Sequence, residues 1–333
     1  MKVAVLDDYH GAFDADPSIA RLRARVPVDV FTEKLSSIER LRDYPILIAL
    51  RERTRFDAAF FERLPTLELI AQTGNHAYHV DVEAATRAGV LIGMASSDMH
   101  AMGTVGRSTI ELTFGLMIGL LRQIPQTDQA MRRGAWPSFA GRTLAGKTLG
   151  ILGLGRLGRE VAKLAQAFGM RVVAWGPTLT PERATKSGAT FMPLEELLQS
   201  ADVVTVHLKL SPESRGLLDE RRLRLMRPDA VLINTARGAI VDEAALIRVL
   251  QERWIGGAAL DVFTEEPLDP ASPLRRLDNV VLTSHLGWPA DLTYRTMAQG
   301  MVAIIEAYLD GRYDKAINPE ALANRKGVRG NFR

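Results

Sequence analysis

Six consecutive residues, Gly153-Leu154-Gly155-Arg156-Leu157-Gly158, have the spacing of a backbone built to cradle phosphate. Gly153 permits a tight turn, Gly155 lets the main chain approach a pyrophosphate, and Gly158 allows a helix to pack closely on a strand. The amides at Arg156 and Leu157, where the helix opens, would face the negative charge. A bare Gly-x-Gly-x-x-Gly is a weak signal. This one lies between an apolar run, Thr148–Leu152, and a stretch with helical apolar spacing, Leu157–Phe168, which is the context a dinucleotide needs. The chemistry it points to is binding of NAD or NADP.

Further polar residues close later apolar runs: His207, the run Asn234-Thr235-Ala236-Arg237, Asp261 and His285. In open α/β sheets ligands sit outside the carboxyl ends of strands, so four successive polar strand ends beside a dinucleotide motif outline a site. The carboxylate that usually binds the adenosine ribose should follow the run Arg171–Trp175, but Gly176 stands there. Its absence removes an acceptor for the ribose hydroxyls and also a charge that would repel a 2′-phosphate, so the choice between NAD and NADP stays open. Arg183 reads as a solvated helix residue.

The elements that must position these groups alternate regularly. Short apolar runs at Val3–Leu6, Val28–Phe31, Ile46–Leu50, Leu69–Ala71 and Val90–Ile92 are separated by helical periodicity, which predicts a parallel sheet. A helix-like segment from about Val105 to Leu121 precedes a second series: Thr148–Leu152, Arg171–Trp175, Val203–His207, Val231–Asn234, Ala258–Val262 and Val280–Ser284. Strand starts there are far enough apart for one crossover helix each, so the region is expected to be doubly wound. A last helical stretch, Asp291–Leu309, is expected to return to the first domain. A length of 333 residues with 47% hydrophobic content also suits two cores.

The 42 basic and 39 acidic side chains are interspersed, giving a net charge of +3 and no nucleic-acid footprint. The basic residues Arg325, Lys326, Arg329 and Arg333 are read as a solvated tail. With no cysteine there is neither a disulfide framework nor a thiolate site, and no metal site is expected. The longest apolar segment, Ile110–Leu121, contains Glu111 and is shorter than the roughly 20 residues of a membrane span. The opening apolar stretch is cut short by Asp7 and Asp8 and reads as a strand, so a cytoplasmic protein is expected.

Taken in order, Leu144-Ala-Gly-Lys-Thr-Leu-Gly, the glycine motif, Asn234-Thr-Ala-Arg-Gly, Leu260-Asp-Val-Phe-Thr-Glu-Glu-Pro and Ser284-His-Leu-Gly resemble the D-isomer-specific 2-hydroxyacid dehydrogenases over nearly the whole chain. Weaker matches lie in Arg51-Glu-Arg-Thr, in Thr73-Gly74 followed by Asp81, and at Glu111. The resemblance implies an α/β fold of two doubly wound Rossmann-like domains. A flavodoxin-like substrate domain would be built from 1–99 and 288–333, and an NAD(P)-binding Rossmann domain from 100–287. It implies hydride transfer between NAD(P)H and C2 of a small 2-keto or D-2-hydroxy acid, and a homodimer, with the helical region Val105–Leu121 a candidate interface or simply interdomain core.

By the same resemblance Arg237, Glu266 and His285 would be catalytic. The chemistry is intelligible: ketone reduction needs a proton on oxygen, which an imidazolium supplies near neutrality, and a carboxylate bonded to the ring orients it. Arg237 offers a planar fork for a carboxylate or carbonyl oxygen. Thr235, Ala236 and Asp261, the last as carboxamide acceptor, would lie beside the nicotinamide, with His207, Leu208 and Gly176 toward the adenosine. Arg51, Gly74, Asn75 and His76 would meet the substrate. Two positions depart from the commonest pattern: Lys209 replaces a proline, and Trp288 follows Gly287, where its large ring would narrow the pocket or line it for an apolar substituent. His10, His79 and His100 have no constellation around them. Alternatives are a phosphite-type dehydrogenase on the same scaffold, formate being disfavoured by Glu266, or an NAD(H)-sensing corepressor-like binding protein.

Overall fold

The computed structural model describes residues 1–50, 53–73, 77–95 and 106–325. The chain divides into two compact units, Met1–Val105 with Pro289–Arg333, and Gly106–Trp288.

The first unit is built on β1 (Val3–Leu6), β2 (Val28–Val30), β3 (Ile46–Ala49), β4 (Leu69–Gln72) and β5 (Leu91–Met94), all parallel, in the order β2-β1-β3-β4-β5. β1, β3 and β5 are apolar throughout, β4 is apolar up to the buried Gln72, and all four are almost entirely buried, as strands covered on both faces must be. Helices α1 (Pro17–Arg23), α2 (Ala58–Arg63) and α3 (Val82–Arg87) start where Asp16, Asp57 and Asp81 accept hydrogen bonds from first-turn amides. One face of the sheet packs Phe56, Phe60, Phe61 and Leu64 against Leu47 and Ile70. The helix Asp291–Leu309 returns to this unit and buries Met297, Met301, Ile304 and Ile305.

The second unit opens with α4 (Arg107–Leu121) and α5 (Ile124–Arg132). Its sheet contains β6 (Thr148–Leu152), β7 (Arg171–Trp175), β8 (Thr190–Phe191), β9 (Val203–Val206), β10 (Val231–Asn234), β11 (Gly257–Leu260) and β12 (Val280–Leu282). The order is β12-β11-β10-β9-β6-β7-β8, every neighbouring pair parallel. This is the doubly wound Rossmann order, with the reversal between β6 and β9. Helix α6 (Arg156–Ala167) connects β6 to β7, and α7 (Glu243–Gln251) lies between β10 and β11. One apolar cluster centres on Leu197, Leu232, Leu246 and Leu250, and another on Leu149, Ile151, Val161 and Ile233.

Helix α4 joins that second cluster through Ile110, Phe114, Met117 and Leu121. Its buried apolar face is core of the unit. Strand β8 has no counterpart in the apolar pattern: two residues, one exposed, are too few to register a period. Strands β3, β9 and β12 end one to two residues before the runs read from the sequence do, and the amides of His207 and Thr283 still donate to the Leu152 and Leu260 carbonyls of the neighbouring strands.

Candidate active site

The glycine loop has the steric logic of a nucleotide cradle. A Cβ at Gly158 would lie 2.2 Å from the Gly153 carbonyl oxygen, so α6 can start this close to β6 only with glycine there. Gly153 has φ of +101° and faces the His207 carbonyl, 2.8 Å from where its own Cβ would be. At Gly155, by contrast, an added Cβ would meet nothing within 4 Å. Gly155 is also the N-cap of α6, and no side chain caps the helix, which leaves first-turn amides for an anion. Close packing at two glycines and open space at the third suit a dinucleotide pyrophosphate.

At the end of β7, Gly176 opens a turn closed by the Leu179 amide on its carbonyl at 3.1 Å. A Cβ at Gly176 would have only ordinary contacts, the nearest at 3.6 Å, so the position does not demand glycine. The exposed Arg183 donates to the Thr178 carbonyl at 2.6 Å. His207 follows β9 with a partly buried ring, Nε2 3.0 Å from Thr205 Oγ1, and loss of hydration pushes its pKa down to about 4. Leu208 packs against the larger core cluster.

After β10 the chain folds into a turn stapled by Asn234. Its Oδ1 accepts from the Ala236 amide at 3.0 Å, and its Nδ2 donates to the Arg237 carbonyl at 3.0 Å. Thr235 is buried, its hydroxyl 3.1 Å from that of Thr113 on α4. Arg237 is exposed and spends one donor on the neighbouring Ala236 carbonyl at 2.6 Å, leaving most of its fork available. Gly238 lets this turn touch the segment after β11: a Cβ there would fall 2.0 Å from the Phe263 carbonyl carbon.

That second segment carries Glu266. Its Oε1 accepts from the Phe263 amide at 3.0 Å, and its Oε2 lies 2.7 Å from His285 Nδ1. An ionised carboxylate only accepts, so Nδ1 must carry the proton and donate. The imidazole is thereby left with Nε2 as its exchanging nitrogen. His285 follows β12 with φ of +58°, a left-handed conformation for a residue with a side chain. Its side chain and that of Glu266 are 36% and 37% exposed, open enough to meet a ligand.

Asp261 is fully buried and is engaged within the chain: it accepts from Thr283 Oγ1 at 2.6 Å, the Leu286 amide at 2.7 Å and the Gly287 amide at 2.8 Å. The structure therefore brings Asp261, Glu266 and His285 together, with the Arg237 turn packed on the Phe263 segment. Arg51, Gly74, Asn75 and His76 lie outside the described residues. Trp288 is half-buried next to Gly287. Ser108 and Thr109 were not foreseen: both hydroxyls donate to the Gly287 carbonyl, at 2.8 and 2.6 Å. Adjacent hydroxyls at the mouth of an otherwise apolar helix were the available signal. Among the described residues no group of side chains could hold a metal ion, and no helix is long and apolar enough to cross a membrane.

Residues 114–287 match the model of the D-isomer specific 2-hydroxyacid dehydrogenase NAD-binding domain. The chain belongs to the D-isomer-specific 2-hydroxyacid dehydrogenases. It is 37% identical to a glyoxylate reductase of Aeropyrum pernix over 284 residues, which cover 83% of this chain and 82% of that one. It is 42% identical over 252 residues to the D-3-phosphoglycerate dehydrogenase of Rattus norvegicus, covering 75% of this chain but 46% of the rat protein, so it spans about half of that relative's length. The crystal structure of a phosphoglycerate oxidoreductase from Vibrio cholerae superposes with a TM-score of 0.81 at 31% identity, covering 93% of this chain and 99% of the other. Membership makes the chain a nicotinamide-dependent oxidoreductase of 2-hydroxy and 2-keto acids. The phosphite and corepressor alternatives gain no support.

Proposed function

We propose that this dehydrogenase reduces a small 2-keto acid to its D-2-hydroxy acid with His285 as proton donor, Glu266 as the group that orients it, and Arg237 as the clamp on the substrate's carboxylate or carbonyl oxygen. The observation that carries this reading is the 2.7 Å bond between Glu266 Oε2 and His285 Nδ1, because it fixes the tautomer and turns Nε2 outward. A nicotinamide bound through the Gly153–Gly158 loop supplies the hydride for C2. Glu266 stabilises the imidazolium until its proton passes from Nε2 to the carbonyl oxygen. Arg237 draws charge toward that oxygen and holds the acid in line.

His207 and Leu208 are assigned to the adenine side, and Thr235 and Ala236 to the nicotinamide side. Asp261 serves the nicotinamide side through the turn it organises. Arg51, Gly74, Asn75, His76 and Trp288 are assigned to the substrate, Trp288 favouring an apolar substituent. With Gly176 presenting no carboxylate, NADPH is accepted as well as NADH. The enzyme works in the cytoplasm as a homodimer. The face offered to the second copy is α5 and the chain after it, where no residue of α5 is buried and Ile124, Met131, Trp136 and Phe139 stand exposed, Trp136 by 84%.

The deciding experiment follows oxidation of NADH and NADPH in parallel against glyoxylate, hydroxypyruvate, phenylpyruvate and branched 2-keto acids. Turnover with a subset of acids, abolished in Arg237→Ala and His285→Ala while both variants still bind cofactor, is expected. Cofactor binding without oxidation of any acid would overturn the reading. Sedimentation of the same protein at several concentrations tests the dimer.

A further inference from the structure

The turn that presents His285 lies between β12 and the end of the second unit and is itself part of neither a strand nor a helix. His285 nonetheless keeps a left-handed backbone, φ +58°, which a side-chain residue adopts stably only where its surroundings over-determine it. Two independent sets of bonds do so. From one side the buried Asp261 carboxylate gathers the amides of Leu286 and Gly287 and the hydroxyl of Thr283. From the other, the Gly287 carbonyl accepts from Ser108 Oγ at 2.8 Å and from Thr109 Oγ1 at 2.6 Å.

The Gly287 residue is therefore pinned through both its N–H and its C=O. Its surroundings leave no slack: a Cβ there would lie 3.0 Å from Asp261 Oδ2 and 3.5 Å from Thr109 Cγ2 and Oγ1. A carbonyl oxygen has two lone pairs, and the two hydroxyls occupy both. Ser108 and Thr109 sit in the first turn of α4, whose N-cap, Gly106, provides no side-chain cap. Hydroxyls in such a turn commonly serve their own helix. Here they reach across to the turn two residues after the proton donor.

We propose that the first turn of α4, through Ser108 and Thr109, is a positioning element for His285: it fixes the Gly287 residue and so the direction in which Nε2 faces. The proposal rests on the reading of His285 as proton donor. Removing both hydroxyls frees the Gly287 carbonyl, lets the turn rotate about residues 285–287, and disperses the ring over orientations in which the Glu266 bond and the line to substrate are not both kept. Small misplacements of a reacting group are costly in rate, so kcat falls about tenfold or more while ground-state binding is kept.

The test compares wild type with Ser108→Ala/Thr109→Val and with Ser108→Ala/Thr109→Ser, which restores one donor at the same place. Three quantities are read: kcat and KM separately, the NADH dissociation constant from tryptophan quenching, and the downfield proton resonance of the His285 Nδ1–H bond, assigned by its loss in His285→Ala. The expected result for the first variant is a kcat lowered about tenfold or more with KM and NADH affinity within about twofold, together with a broadened or missing resonance. The second variant should recover most of both. Wild-type kcat with a sharp resonance in the first variant would overturn the proposal. So would equal losses in both variants accompanied by a lower Tm and an intact resonance, the signature of a merely structural role. The resonance needs no turnover, so a loss of positioning is seen even if the assignment of His285 as proton donor fails.

Discussion

Glu266→Gln isolates the orientation of the imidazole. Glu266 satisfies two donors at once, the Phe263 amide on Oε1 and His285 Nδ1–H on Oε2. Glutamine has the same shape but only one acceptor oxygen, so one of the two donors must face its NH2 group. If the oxygen stays on Phe263, the amide nitrogen meets Nδ1 and drives the proton to Nε2 in the neutral ring, the wrong tautomer for a base in the reverse reaction. If it turns to His285, the Phe263 amide loses its acceptor and the loop after β11 loosens. Either way a charge-assisted bond is lost, about 1.5–3 kcal/mol in sheltered settings. Because both side chains are more than one-third exposed, screening reduces this to about 1–2 kcal/mol. That corresponds to a loss of about 5- to 30-fold. The assay is steady-state reduction of the best 2-keto acid, where kcat and kcat/KM should fall together because the bond counts most while the ring is giving up its proton. A Gln variant within twofold of wild type in kcat/KM would refute the reasoning.

Gly155→Ala and Gly158→Ala separate ligand space from packing space: the first should keep its Tm and lose at least about tenfold in cofactor affinity, since its Cβ enters only open space. The second should destabilise the fold by about 1–3 kcal/mol, because its Cβ meets the Gly153 carbonyl, and equal Tm values for the two would contradict this. Gly176→Asp has room for its Cβ and should raise the NADH over NADPH ratio of kcat/KM by about tenfold or more through hydrogen bonds to the ribose and repulsion of a 2′-phosphate. An unchanged ratio would place the adenosine ribose elsewhere. For stability against pH, the His207 pKa in the fold, about 4, lies below the value of about 6.5 in the unfolded chain, so the unfolded state binds the extra proton between them. Its contribution is complete above about pH 6.5 and is lost as pH falls toward 4, by at most about 3 kcal/mol. Urea midpoints at pH 7.5 and 5 should therefore drop further for wild type than for His207→Gln, and parallel drops would exclude this residue as the cause.

Much of the scaffold was legible because buried parallel strands announce themselves as unbroken apolar runs and the glycine motif has a fixed place between strand and helix. The helix Asp291–Leu309 was visible at both ends. What escaped is instructive in physical terms. Strand β8 is too short to carry a period, and the apolar face of α4 could not be assigned to core or interface, because hydrophobicity does not say what covers it. Asp261 shows a related limit: its residue type announced a polar strand end, but only the fold shows that its oxygens are directed at the amides of Leu286 and Gly287.

The site owes its geometry to loops fastened to one another rather than to the strands that deliver them. Arg237, Glu266 and His285 each stand beyond the end of a strand, where the ladder no longer constrains the chain. The Arg237 turn is held internally by Asn234 and set against the next loop by the absence of a side chain at Gly238. Glu266 then ties that loop, through Phe263, to His285. His285 is in turn fixed through Asp261 on one side and through Ser108 and Thr109 on the other. Apart from the Glu266–His285 bond, these hydrogen bonds pair a side chain with a backbone group, so they fix the direction of a peptide and not merely the separation of two residues. Proton transfer depends on such directions, since Nε2 must face the carbonyl oxygen within hydrogen-bond reach. Substitutions at Asn234, Gly238 or Thr109 should therefore lower kcat although none of these residues belongs to the proposed triad, and the cofactor loop, built on separate glycines between β6 and α6, should bind its dinucleotide regardless.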